Sequence, residues 1–205
     1  MQISTTTASD RELIRLIQHG EPAAFNALIS RHKEKMTTSI YLLVKDKFLA
    51  EDIFQDACIR IVDTIRSGRY NEEGKFYPWA VRIARNLCLD HFRKVKRTPP
   101  MKYSDDQDIF EYITTPDPGI HKKIEHMEMV EALGKILDKL PEEQKEVIVL
   151  RHFGDMSFKD IASTTGCSIN TVLGRMRYGL INLRKIMAEE KIILYTSLSA
   201  MVIFA

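Results

Sequence analysis

The stretch SFKDIASTTGCSINTVLGRMRYGLINLRKIM, residues 157–187, decides the fold. Ser157 stands three residues before Asp160, the spacing of a capping box, and Gly166 supplies a helix stop. Ser168 then caps a second helix that starts at Ile169. Two helices joined by so tight a glycine-containing turn predict a helix-turn-helix. In such a unit the second helix lies in the major groove of DNA, where base edges present distinguishable donors and acceptors. Along it, Ile169, Val172, Met176, Leu180 and Leu183 share the face expected to turn to the core. Thr171, Gly174, Arg175, Tyr178 and Lys185 point the other way, and Asn170 and Arg177 flank them. The plain alternative is a helical hairpin that touches no DNA.

Upstream, helical period and punctuation continue. Leu140-Pro141-Glu142-Glu143 favours a helix start, and Val147, Ile148 and Leu150 carry that helix to Gly154. A longer helix is expected over about 120–139. Residues 98–119 hold four prolines and the acids Asp105, Asp106, Asp108, Glu111 and Asp117, and read as a linker. Just before it lie Arg93, Lys94, Lys96 and Arg97, with Lys102 beyond, so a basic patch adjoins an acidic strap.

The N-terminal part is helical as well. Ser9 and Glu12 match a capping box and Gly20 ends that short helix, while Pro22 opens another that runs to about Val44. From Glu51 to Arg66 apolar residues recur as pairs (Ile53/Phe54, Ala57/Cys58, Ile61/Val62), which predicts an amphipathic helix with one buried face. Residues 67–77 (SGRYNEEGKFY) predict a loop, and Pro78 suits the first turn of a helix to about Lys96. On that helix Arg82, Asn86 and Arg93 fall in one narrow sector beside Trp79. Cations, an amide and an aromatic on one face suit a separated nucleic-acid strand, because unstacked bases need stacking platforms and phosphates need charge. The same spacing also fits a core tryptophan beneath a solvated arginine face.

These elements predict an all-α chain of two small helical domains joined by an extended acidic linker: 1–97, the linker 98–119, 120–188, and an apolar tail 189–205. Of 205 residues, 44% are apolar and 28% charged, which excludes a disordered chain, while a net charge of +2 neither demands nor excludes nucleic acid. The three cysteines, Cys58, Cys88 and Cys167, lie far apart and read as reduced thiols of a cytoplasmic protein. There is no C-x-x-C, no H-E-x-x-H and no acidic cluster suited to two metals, so no cofactor, metal, small-molecule substrate or nuclease chemistry is expected. The N-terminus lacks the plan of a signal peptide. Residues 192–205 (IILYTSLSAMVIFA) carry no charge but fall short of the roughly 20 residues that span a bilayer. They could pack back on the second domain, dock a partner or touch a membrane.

Read in order before the helix-turn-helix, the segments AEDIFQDACIRI (50–61), WAVRIARNLCLDHFR (79–93) and LPEEQKEVIVLRHFG (140–154) resemble the extracytoplasmic-function (ECF) class of sigma factors, in the sigma-70 family. The resemblance implies a transcription initiation factor, with region 2 in the first domain and region 4 in the second. It implies that Asp52, Gln55, Asp56 and Arg60 dock on the clamp helices of the polymerase beta-prime subunit, although from the residues alone they are also a polar helix face. It implies that Asn86 reads a flipped base of the minus-ten element, with Tyr77, Trp79, Arg82 and Arg93 around it. The helix from Pro141 to Phe153 would meet the beta flap. Ser168, Asn170, Thr171, Gly174, Arg175, Arg177, Tyr178 and Lys185 would meet the minus-thirty-five element. The implied partners are core RNA polymerase, promoter DNA, and an anti-sigma factor or other recruiting protein.

The chain departs from the family where Leu173, Gly174 and Tyr178 stand in place of a base, a serine and a further base. Losing a bidentate base contact forfeits about 1–3 kcal/mol of discrimination, so relaxed upstream readout is expected. A stand-alone helix-turn-helix regulator is the main alternative, but it would have no need of the helices over 51–66 and 78–96.

Overall fold

The computed structural model describes residues 8–97 and 120–189, with the backbone alone described for 120–127. Within them the chain is all α-helix: α1 (Asp10–Gln18), α2 (Pro22–Val44), α3 (Lys47–Arg66), α4 (Phe76–Arg97), α5 (Ile120–Leu137), α6 (Glu142–His152), α7 (Phe158–Thr165) and α8 (Ile169–Glu189). The acidic linker, Lys102 and the apolar tail from 190 onward lie outside the described residues. No described helix is long and apolar enough to cross a membrane.

Local chemistry sets the helix ends. Ser9 and Glu12 form the capping box of α1, and Ser157 and Asp160 that of α7. The α3 helix starts earlier than its apolar pairs suggest, because the Asp46 carboxylate accepts the Leu49 amide at 2.9 Å. The expected loop also yields sooner: α4 begins at Phe76, where the Trp79 amide donates to the Lys75 carbonyl at 3.2 Å. Phe76 and Tyr77 are buried, and Tyr70, Phe76 and Trp79 form an aromatic cluster, so side-chain burial draws the end of the loop into the helix.

The α1 to α4 helices pack on one another, and α5 to α8 do likewise. The sequence predicts two modest cores. The structure instead has one continuous buried cluster, from Ala8 to Leu183, because α2 also packs against α5 and α6. Leu13, Ile17, Ile61 and Ile148 are among its fully buried members, each contributing about 1.5–3 kcal/mol relative to an exposed position.

Burial also governs the thiols. It pushes Cys58 up to about 11, helped by Glu51, and Cys88 up to about 12. At pH 8 the thiolate fractions imply that iodoacetamide should alkylate Cys58 about 200-fold and Cys88 about 2000-fold more slowly in the folded chain than in urea, where a thiol titrates near 8.5. Peptide mass spectrometry reads the rates, and equal rates in the two states would contradict this environment.

Candidate nucleic-acid interface

The turn between α7 and α8 is built as the sequence predicts. Gly166 adopts φ 70, the left-handed conformation that side chains resist, and the Ser168 hydroxyl accepts the Thr171 amide at 3.1 Å. Val172, Leu180 and Leu183 are buried, and the Asn182 amide donates to Gln144 of α6 at 2.9 Å, fixing α8 on the bundle. Ile169, expected on the core face, is exposed instead. Its cap places it in the first turn, ahead of the part of α8 that α6 covers.

Ser168, which caps α8, and Asn170, Thr171, Arg177, Tyr178 and Lys185 along it are exposed, and a Cβ at Gly174 would meet only open space. Arg175 is half-buried and turned back, its Nη1 donating to the Cys167 sulfur at 3.3 Å. The outward face is partly apolar. Leu173 and Ile181 are exposed and, with Met176, Leu180, Arg177 and Arg184, line a shallow groove of about 300 Å³.

On α4, Arg82, Asn86 and Arg93 are all exposed above a buried stripe of Val81, Ala84, Leu87 and Cys88. Trp79 flanks them, partly exposed, with its ring 4.3 Å from that of Tyr70. Lys94, Lys96 and Arg97 extend the exposed charge at the helix end. Tyr77 stands apart from this face. It is buried, its ring stacks on His32, and its hydroxyl donates to the Phe153 carbonyl at 2.5 Å.

The α3 helix presents Asp52, Gln55, Asp56 and Arg60 to solvent, opposite buried Ile53, Ala57 and Ile61. Two neighbours escaped the sequence reading: Phe48 is 79% exposed and Ile59 58%. Spaced four, seven and eleven along the helix, Phe48, Asp52, Gln55 and Ile59 form one stripe. The available signal was two large apolar residues out of phase with the buried pairs. Among the described residues no group of His, Cys, Asp or Glu side chains is gathered to hold a metal ion.

Comparison with known proteins matches residues 28–98 to Sigma-70 region 2 and residues 130–177 to Sigma-70 region 4. The chain is similar to the RNA polymerase sigma-H factor of Pseudomonas aeruginosa, 27% identical over 179 residues, which cover 83% of this chain and 90% of that one. It is also similar to the ECF RNA polymerase sigma-E factor of Escherichia coli K12, 29% identical over 175 residues, covering 82% and 88%. Among solved structures, CnrH in complex with the cytosolic domain of CnrY shares the fold at a TM-score of 0.61 and 20% identity, covering 88% of this chain and 97% of that one. The sigma factor RpoE bound to the anti-sigma factor NepR from Bartonella quintana does so at 0.59 and 20%, covering 80% and 96%.

Proposed function

Because this chain belongs to the sigma-70 family, as a sigma factor of the extracytoplasmic-function class, we propose that the exposed face of α4 captures separated minus-ten bases. The chain is a transcription initiation factor and not an enzyme. The carrying observation is that Arg82, Asn86 and Arg93 stand exposed together on one face, beside Trp79, inside the region 2 match. Each base taken out of a duplex costs a few kcal/mol. A face that offers an amide to the base edge, a ring to stack on and cations to the backbone offsets that cost without covalent chemistry. Tyr77 joins this face in the proposal only once Phe153 no longer covers it.

The proposed division follows the predicted boundaries: region 2 over 1–97, linker 98–119, region 4 over 120–188 and tail 189–205. The stripe of Phe48, Asp52, Gln55 and Ile59, with Asp56 and Arg60, is assigned to the beta-prime clamp helices, since an apolar centre with a polar rim is how protein interfaces are composed. The α6 helix is assigned to the beta flap. The chain works in the cytoplasm, where polymerase and promoter are. An anti-sigma factor, like the one seated on the Bartonella quintana neighbour, or a recruiting protein completes the proposed set of partners. Transcription in vitro with core polymerase tests the assignment: promoter-specific starts that require this chain support it, and absence of core binding would overturn it.

Upstream readout is weak in this proposal. Ser168, Asn170, Thr171, Gly174, Tyr178 and Lys185 supply surface for the minus-thirty-five element, but Arg175 is turned back and Leu173 offers only apolar contact. Exposed Arg177 holds phosphate. Arg177→Ala is expected to lower affinity for all upstream sequences alike and to reduce the slope of log K against log salt by about 1. A fluorescence anisotropy titration over several salt concentrations checks this, and a loss confined to one sequence would contradict it.

A further inference from the structure

The second reading helix carries apolar surface that DNA has little to meet with. On α8, Leu173 is 43% exposed and Ile181 46%. With half-buried Met176 and buried Leu180 they floor the shallow groove of about 300 Å³ that Arg177 and Arg184 border. Duplex DNA presents mostly phosphates and sugars to a docking helix, and in the major groove the thymine methyls are the apolar contact it offers. Leu173 and Ile181, about two helical turns apart, therefore gain little from DNA. In the free chain they face water at a cost, unless something apolar covers them.

The chain itself supplies such a segment. Residues 192–205 (IILYTSLSAMVIFA) carry no charge, and among them only Thr196, Ser197 and Ser199 are polar. Glu190 and Lys191 alone separate this segment from the last residue of α8, and so short a connection is enough to reverse the chain between antiparallel neighbours. Reach is sufficient. From Glu189 back to Leu173 is about 24 Å of helix at roughly 1.5 Å per residue. Residues 192–205 span up to about 46 Å when extended. A tether this short also holds the segment at an effective concentration on the order of millimolar, an advantage over any separate partner of equal fit.

We propose that residues 192–205 fold back on α8 and seat in this groove, so that the free chain covers the DNA-facing side of its own second reading helix. Leu173 and Ile181 are the seat, and the cover hides Arg177 beside them from phosphate. The effect on DNA rests on the assignment of α8 to the minus-thirty-five element; the seating does not. Hydroxyl-radical footprinting of the full chain, read by peptide mass spectrometry, is compared with that of a chain cut after Lys191, and circular dichroism checks that both are folded. A cover in place about nine-tenths of the time slows labelling of Leu173 and Met176 about tenfold and weakens DNA binding by the same factor, since only the open fraction reacts or binds. Cutting the tail should therefore raise both equally, the second read by anisotropy with a random-sequence duplex. Ile181→Glu in the full chain puts a charge in the apolar seat and should speed labelling of Leu173, Met176 and Met201 together. If the cut chain is not folded, this variant takes its place. Groove labelling that is the same with and without residues 192–205 would overturn the proposal. So would protection that fades on dilution, which would place the tail on a second copy. Faster groove labelling with unchanged affinity for duplex upholds the seating and counts against the assignment of α8 alone.

Discussion

Asp138→Asn is expected to lower the unfolding free energy at pH 7 by about 2 kcal/mol, and the midpoint of thermal unfolding by about 4–8 °C. The reason is Lys145. Its side chain is 5% exposed, and its ammonium donates to the Asp138 carboxylate at 3.0 Å, within the α5 to α6 corner. Removing one partner of a buried pair costs about 3–5 kcal/mol, and the figure is reduced here because Asp138 itself is 45% exposed. Burial alone would raise the Asp138 carboxyl, but hydrogen bonds and charge from Lys45 and Lys145 outweigh it and hold the carboxyl below its ordinary value. A carboxylate depressed in the folded state contributes stability that is present above its unfolded value near 3.9 and is lost as pH falls through the folded one. The gap between wild type and Asp138→Asn should therefore be full at pH 7 and close in strong acid. Urea unfolding at the two pH values measures it. A gap that persists in acid would mean that lost packing, not charge, sets the cost.

That corner also marks where sequence reading stops. Capping boxes at Ser9 and Ser157, the glycine turn at Gly166 and the apolar pairs of α3 are local signals, and each produced the element it predicts. Asp46 shifted one boundary, because its cap is a local signal that lies outside the apolar period, and the burial of Phe76 and Tyr77 another, because a tertiary aromatic cluster acts over distances that periodicity does not register. Lys145 and Arg85 were missed for a related reason. In the sequence each is one more charge on a helix; their partners Asp138 and Glu146 become meaningful only when α5 meets α6 and when α4 meets α6. Phe48 and Ile59 were legible in principle as apolar residues out of phase on α3. The single core was not, since nothing in two periodic halves tells whether they pack together. Of the candidate DNA-contacting set, Arg82, Asn86 and Arg93 share an exposed face as spacing predicts, while Tyr77 and Arg175 are turned inward by bonds to Phe153 and Cys167.

Asn86→Ala should reduce promoter-specific starts roughly ten- to hundredfold, the range that follows from losing a two-point amide contact worth about 1–3 kcal/mol. Asn86 is exposed on α4, so the change should leave stability within about 0.5 kcal/mol. Core binding, assigned to α3, should be unchanged. The discriminating template carries a minus-ten element already opened by mismatches. If Asn86 only helped to separate strands, pre-opening would restore the variant to wild-type output. An amide that reads the edge of an extruded base predicts a different pattern. Wild type should keep a preference for one base at a single position of the open strand, and the variant should lose it while transcribing the other bases equally well. Run-off transcription on four such templates, differing at each open position in turn, measures this. Retention of the base preference by Asn86→Ala would assign the readout to another group on the same face, with Arg82 the nearest candidate, one helical turn away.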